Sequence, residues 1–348
     1  MTELERKVND YINATLLNFN NICTNALEGG TLEKQILNRL FSRKWSRKAQ
    51  FEEAKEFTKE RVSTILDKHL SFLFCFCFGG YKHFWSPTYP EPDWAEVFTI
   101  KYLMEFILPI AKTQEKKVTI EFESEEVALS DMNNTPQEGM DKYNKAFKEL
   151  LSYVNKHHNY PMDLKMVLAR DFYDRKELLD KMKEYLPEVQ KRFDSLPAEE
   201  KLVRLKRAET NIMWKGKEDL TCLSKEEKEQ FIYNSRTLNE AFLDIDYELR
   251  GQEYFEQENL IPLLGSFGLG AGGENWLHLA SNKSSMVDFW AGIGILEVRE
   301  DRIIEKTISK SQFEQIRDQL VRVELETPLS KISENYSWIY VYEGKLSF

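Results

Sequence analysis

The stretch Phe72-Leu-Phe-Cys-Phe-Cys-Phe78, followed directly by Gly79-Gly80, decides the fold. It is short, apolar and rich in aromatic side chains, and the two glycines end it. A run of this length cannot cross a bilayer, and its composition favours a strand over a helix. We therefore predict a β-strand that is buried on both faces.

The segment after this strand, residues 79–93, has the composition of a loop. Its prolines prevent it from continuing a sheet, and it carries Lys82 and His83 among several aromatic residues. Asp93 then stands at a helix N-cap position, with Glu96 three residues later as its partner in a capping box. This spacing predicts a helix over 94–112.

Strands and helices continue to alternate beyond this helix. A strand pattern over 117–122 leads into an acidic turn at 123–127, and a helix pattern opens at Pro136. Such alternation predicts parallel pairing, and in parallel α/β sheets ligands bind beyond the carboxyl ends of the strands. The loop over 79–93 is therefore the first candidate for a binding site.

The rest of the chain extends this pattern in both directions. Before the first strand, helices are predicted over 4–26, 31–45 and 51–70. A short strand over 163–169 precedes a charged helical stretch over 176–250, with breaks near Pro187, Pro197 and Gly216. Later strand patterns cover 260–266, 276–281, 289–298, 302–309 and 338–342, and a helix is predicted over 310–321.

These elements predict an α/β fold, a Rossmann-like mixed sheet flanked by helices. We expect an N-terminal helical region over 1–70 and a main domain over 71–348, with a helical insertion around 176–250. A chain of 348 residues, 42% of them hydrophobic, can fill the core that this fold requires.

Composition narrows the possible partners. With 48 basic and 58 acidic residues, a net charge of -10 and no polybasic tail, the chain is not expected to bind nucleic acid. No apolar run reaches membrane length, so we expect no membrane contact and a cytoplasmic protein. The four cysteines form no CxxC pair and lie at no zinc-ligand spacing, which predicts neither a metal nor another cofactor.

A glycine tract, Gly268-Leu-Gly-Ala-Gly-Gly273, formally matches the GxGxxG motif of dinucleotide sites. The residues after it, 274–281, have a strand pattern, whereas a pyrophosphate site needs a helix N-terminus there. A hairpin turn or ligand-covering loop is the favoured interpretation. A nucleotide-binding transferase that uses this loop stays open as a less favoured hypothesis.

The order of motifs within 76–143 resembles that of a known enzyme family. That order is a strand ending in F-x-x-K-S-P, a P-D-x-x-E helix, a strand, an S-D-G-R-V-F turn and a helix ending in Tyr. The corresponding residues in this chain are Phe78, Lys82, Ser86-Pro87, Pro92-Asp93, Glu96, Ser124-Glu-Glu-Val127 and Tyr143. Residues 289–295 and 299–302 are similar to the family's P-W-H-G-V strand and acidic turn. The family is that of the isocyanide (isonitrile) synthases of pyoverdine and dityrosine biosynthesis.

The resemblance implies a metal-independent enzyme of secondary metabolism that joins an amino acid amine to a carbon of ribulose 5-phosphate. Such a step needs a phosphate clamp, a proton shuttle and an apolar slot. Candidate phosphate partners are Lys82, Arg170, Arg250 and Lys283. Candidate proton shuttles are His83, Glu96 and His278. Candidate residues for the slot and its border are Trp85, Tyr89, Trp290 and Asp288.

Ala291 stands where the family has a histidine. This difference supports a rival hypothesis of another class, a catalytically degenerate binding or interaction protein of the same fold. Density for a small molecule in a polar pocket between Lys82 and Asp288 would favour the enzyme over this rival.

Overall fold

The computed structural model describes residues 1–46, 52–78, 91–124, 137–214, 220–264, 276–279 and 292–347. Within these ranges, none of the helices is both long enough and apolar enough to cross a membrane.

A five-stranded parallel sheet forms the centre of the fold. Its strands follow the order β3-β2-β1-β4-β5, and every pairing between neighbours is parallel. The strands are β1 (Leu73–Phe78), β2 (Val118–Ser124), β3 (Met162–Leu168), β4 (Leu260–Leu264) and β5 (Leu277–His278). This is the doubly wound order of Rossmann-like folds, so the predicted fold class is confirmed.

Helices flank this sheet and connect its strands. The described helices are α1 (Glu3–Tyr11), α2 (Leu32–Leu40), α3 (Glu52–Asp67), α4 (Trp94–Ala111), α5 (Gln137–Lys156), α6 (Arg175–Asp194), α7 (Ala198–Trp214), α8 (Lys225–Tyr254) and α9 (Lys310–Ile316). Helix α4 joins β1 to β2, and α5 joins β2 to β3, as the alternation of patterns predicted.

The two faces of the parallel sheet are covered differently, because successive residues of a strand point to opposite faces. One face packs with α3, α4 and α5 in the main core, to which β1 contributes Phe74 and Phe76, together with Phe72 just before the strand. The N-terminal segment joins the same core through Val8, Ile12, Leu16 and Phe19. The opposite face carries Leu73 and Cys75 against Tyr254 and Phe255, at and beyond the end of α8.

A second sheet of four strands packs on α4. Its order is β7-β6-β9-β8, with β6 and β9 parallel and the outer pairs antiparallel. Its strands are β6 (Gly292–Val298), β7 (Ile303–Ser309), β8 (Leu320–Glu324) and β9 (Trp338–Glu343). The mixed pairing expected from the sequence therefore lies in this sheet.

Two helices predicted near the N-terminus are shorter in the structure. The helix predicted over 4–26 ends at Tyr11 and gives way to a π-helical turn, Ile12–Leu16. Asn13 donates its side-chain amide to the Asn9 carbonyl, the kind of local bond with which Asn competes against regular helix. The helix predicted over 31–45 ends at Leu40.

Pro187 does not break α6, contrary to the sequence prediction. The helix buries Leu178 and Met182 before the proline and Val189 and Phe193 after it. Because this apolar face is continuous, its packing outweighs the one backbone hydrogen bond that a proline removes.

The helix predicted over 310–321 is also too long. Helix α9 ends at Ile316, and the chain then forms strand β8, which the sequence analysis missed. All five residues of β8 pair with β9, and this ladder holds them as a strand although their sequence has a helical pattern.

Candidate functional site

The sheet reverses its winding between β1 and β4, and this switch point defines the candidate site. From β1 the chain winds outward through β2 to β3, and it then returns to β4 on the other side of β1. Cys77 of β1 pairs in register with Leu264 of β4, so the segments that follow both strands begin at the same edge of the sheet. Ligands of doubly wound proteins bind in the crevice at such a point.

The N-terminus of α4 lies at this edge, and a capping box fixes it as predicted. The Asp93 carboxylate accepts a hydrogen bond from the Ala95 amide, at 2.7 Å from Oδ1. Glu96 Oε2 accepts from the Asp93 amide at 2.7 Å. Both acidic side chains are buried. A local sequence rule therefore places two carboxylates beside the switch point.

Glu96 also reaches the neighbouring helix. The hydroxyl of Tyr143 on α5 donates to Glu96 Oε1 at 2.9 Å, and both residues are 0% exposed. Burial, and then the nearby charge of Glu96, raise the pKa of Tyr143 well above its usual value. The phenol therefore stays protonated and can act as a donor beside the carboxylate.

The second sheet closes one side of this cluster through Gly294 of β6. Its amide donates to Asp93 Oδ1 at 3.2 Å. A Cβ at this position would lie 2.4 Å from the Ala95 nitrogen and 2.7 Å from the Trp94 carbonyl carbon. Only glycine allows β6 to approach the first turn of α4 this closely.

Tyr336 completes the cluster from the turn that precedes β9. It is fully buried, and its ring packs edge-on against Trp94 with 5.4 Å between ring centroids. Burial, followed by the charges of Glu96 and Asp93, raises the pKa of Tyr336. Among the residues that the structure describes, none forms a hydrogen bond with its hydroxyl.

Gly294 and Tyr336 were not predicted from the sequence as parts of the site. Gly294 had a detectable signal, because a glycine inside a strand often marks a close approach of another backbone. Tyr336 had none, since its place beside Trp94 depends on how the second sheet packs.

His278, a predicted proton shuttle, lies at the carboxyl end of β5. It pairs in register with Leu264 and is almost fully buried. Its neighbours Leu277 and Leu279 belong to the main core, so the His278 side chain points to the opposite face of the sheet. Glu96 and His278 therefore approach the switch point from different faces.

Glu123 occupies the His278 face as well. Glu123 was predicted to begin an acidic turn, but β2 continues through Glu123 to Ser124, and Glu123 pairs with Cys77. The predicted start of the turn, at residue 123, is therefore wrong. Parallel pairing with β1 keeps Glu123 and Ser124 in the strand, although the alternating sequence pattern ends before them. The Glu123 side chain is fully buried.

Arg170, a predicted phosphate partner, follows β3 at the same edge of the sheet. Its guanidinium forms an ion pair with Asp141 of α5, at 2.7 Å between Nη1 and Oδ1, and the side chain is partly exposed. Strand β3 is separated from β1 by β2, so Arg170 borders the region rather than the switch point itself.

Most other predicted site residues lie outside the described residues: Lys82, His83, Trp85, Tyr89, Lys283, Asp288, Trp290 and also Ala291. The backbone of Arg250 belongs to α8, one turn before Tyr254, but its side chain is not among those described. Their roles stay predictions. In the described ranges, no group of three or more His, Cys, Asp or Glu side chains is arranged to hold a metal ion.

The fold and this site define a doubly wound α/β protein with a buried Glu–Tyr pair beside its switch point. The structure is similar to the crystal structure of the PvcA protein from Pseudomonas aeruginosa, with a TM-score of 0.65 and 13% sequence identity. The match covers 90% of this chain and 100% of that one. No protein-family model matches the sequence, and no curated protein matches it. At this identity, the likeness concerns the fold.

Proposed function

We propose that the protein is an isocyanide-synthase-like biosynthetic enzyme that condenses an amino acid amine with a phosphorylated sugar. The observation that carries the proposal is the buried hydrogen bond between Tyr143 and Glu96, beside the switch point of the sheet. Two further points support it: the motif resemblance, and the shared fold with PvcA.

The first step of such a condensation needs the kind of groups that this pair contains. The amine nitrogen attacks the sugar carbonyl carbon, and a C–N bond forms while the carbonyl π bond breaks. The resulting carbinolamine loses water to give an imine, so a proton must leave nitrogen and another must reach the departing hydroxyl. In the proposed mechanism Glu96 accepts the proton from nitrogen, and the protonated Tyr143 donates to the departing oxygen.

The sugar phosphate requires cations at the same edge of the sheet. Lys82 and Lys283 are the proposed clamp, since the segments that contain them follow β1 and the β4–β5 region. Arg170 could join them only by exchanging its ion pair with Asp141 for the phosphate. Arg250 is the fourth candidate, on the helix that covers the opposite face.

The experiment that tests this function is a product assay with purified protein. L-tyrosine or L-tryptophan is incubated with ribulose 5-phosphate, and mass spectrometry follows the mass change of the amino acid. The proposal expects a product that carries one added carbon on the amine nitrogen and depends on both substrates. If both substrates bind but no product forms, the condensation is rejected.

That last outcome would favour the rival function, a binding protein that has kept the fold. The specific observation on its side is Ala291, which replaces the histidine of the family pattern. Ala291→His provides the discriminating variant. If an enzyme has lost a catalytic group here, this change should restore some turnover, whereas an active wild type needs no such rescue.

A further inference from the structure

The hydroxyl of Tyr336 is the feature of the site that the proposed chemistry leaves unused. The residue is 0% exposed, and no described residue shares a hydrogen bond with the hydroxyl. Buried hydroxyls nearly always have a hydrogen-bond partner, because an unpaired one has lost its hydrogen bonds to water and gained none in the protein. A partner that is not one of these residues is therefore expected for it.

The turn that carries Tyr336 is held firmly against the start of α4. Ser333 Oγ donates to the Pro92 carbonyl at 2.9 Å, just before the helix. On the other side of Tyr336, Trp94 Nε1 donates to the Trp338 carbonyl at 2.8 Å. These bonds hold the turn against the cap of α4, and the buried Tyr336 ring packs on Trp94 at the start of the same helix.

The surroundings of the hydroxyl are negative. Asp93 and Glu96 are buried at 2% and 0% exposure, and their charges are close enough to raise the pKa of Tyr336. Tyr143 adds a second phenol, bonded to Glu96. Two carboxylates and two phenol oxygens can accept several hydrogen bonds from one donor-rich cation, whereas a phosphate or carboxylate ligand would be repelled.

We propose that Asp93, Glu96, Tyr143 and Tyr336 form a binding site for a protonated primary amine, the ammonium group of the amino acid substrate. The inference rests on the proposed function in taking an amino acid as the ligand. Tyr336 acts here as an acceptor that positions the amine, and Glu96 supplies the charge that selects it. The same carboxylate then lies next to the nitrogen that must lose a proton.

Calorimetric titration of the full-length protein tests this site without any turnover. The probes are L-tyrosine and L-tryptophan, each compared with the analogue that lacks only the amine, 3-(4-hydroxyphenyl)propionate or 3-(indol-3-yl)propionate. We expect at least one amino acid to bind about tenfold or more tightly than its deaminated analogue, as fits the loss of a charged hydrogen bond.

Tyr336→Phe keeps the ring against Trp94 and removes only the hydroxyl. It should weaken amino acid binding about tenfold, leave the affinity for the deaminated analogue unchanged and leave the Tm unchanged or higher. Tyr342→Phe is the matched control, because that hydroxyl bonds to Gln319 at an exposed position of β9. Glu96→Gln retains the capping geometry and should abolish the preference for the amine.

Two results would overturn the inference. One is a wild type that binds neither amino acid, or that binds each no better than its deaminated analogue. The other is a Tyr336→Phe protein with a lower Tm and unchanged amine preference, which would give the hydroxyl a purely structural role. Amine-dependent binding without any product would uphold the site and reject only the proposed condensation.

Discussion

The Tyr143 hydroxyl lies 2.9 Å from Glu96 Oε1, in a position where neither side chain is exposed to solvent. The bond joins α4 to α5, the two helices that follow β1 and β2. Because both helices begin at the carboxyl edge of the sheet, the bond places an acid and a base where doubly wound folds bind ligands. It also contributes to stability.

The structural contribution of this bond can be measured with Tyr143→Phe. The variant loses a hydrogen bond to a charged acceptor and should be less stable by about 1.5 to 3 kcal/mol. Tyr153→Phe on the same helix is the control, since among the described residues nothing bonds to that hydroxyl. Chemical denaturation compares the two, and equal stability would show that the buried bond contributes nothing.

Gly294→Ala tests the close approach of β6 to α4. The added methyl group would meet the backbone at 2.4 Å from the Ala95 nitrogen, so the strand or the helix must move. We expect the free energy of unfolding to fall by about 3 kcal/mol, as it does when a core is overpacked. Gly29→Ala is the comparison, because its φ is positive but nothing lies within 4 Å of the new methyl group. Gly29→Ala should lower the free energy of unfolding by only about 1 kcal/mol. Similar decreases for the two variants would contradict the packing account.

Acid destabilisation should depend in part on His158. Burial, together with the charge of Lys117, lowers the pKa of this imidazole, although Asp163 opposes the shift. The unfolded chain then takes up a proton more readily than the folded protein. The contribution of neutral His158 to the free energy of unfolding is therefore complete above about pH 6.5, and it decreases as the pH falls toward the lowered pKa.

His158→Asn removes this titration and can still accept from the Tyr160 amide, as His158 Nδ1 does at 3.2 Å. The variant should lose less stability than the wild type between about pH 6.5 and pH 5. The control is His157→Asn, at the exposed neighbouring position. A wild-type loss that persists unchanged in His158→Asn would show that other groups cause it.

The phosphate clamp is tested most simply at Lys82. Lys82→Ala should weaken the binding of ribulose 5-phosphate by about 1.5 to 3 kcal/mol, the contribution of one charged hydrogen bond. Lys116→Ala removes the same charge at the amino edge of the sheet, where Lys116 Nζ donates to the His69 carbonyl at 2.9 Å. It should leave binding unchanged, and equal effects of the two changes would remove Lys82 from the site.

The sequence was most informative where the structure depends on local rules. The aromatic run of β1 and the capping box of Asp93 and Glu96 each lie within a few residues, and both were predicted. These elements sufficed to place Glu96 at the carboxyl edge of the sheet.

Contacts between distant segments could not be predicted in the same way. Tyr336 lies against Trp94 only because β9 pairs with β6 and brings the preceding turn to α4. Similarly, β8 is a strand because it pairs with β9. Likewise, His278 was assigned to a strand, but its face became known only once Leu277 and Leu279 were found in the core.

The central claim is that the Glu96–Tyr143 pair performs acid–base chemistry, and turnover of the Glu96→Gln protein tests it most directly. Product formation from L-tyrosine or L-tryptophan and ribulose 5-phosphate is compared with that of Glu105→Gln, the same change on the partly exposed outer side of α4. The account predicts that kcat falls about 10²- to 10⁴-fold in Glu96→Gln, with folding intact, and stays near wild type in Glu105→Gln. Wild-type turnover by a folded Glu96→Gln protein would contradict it.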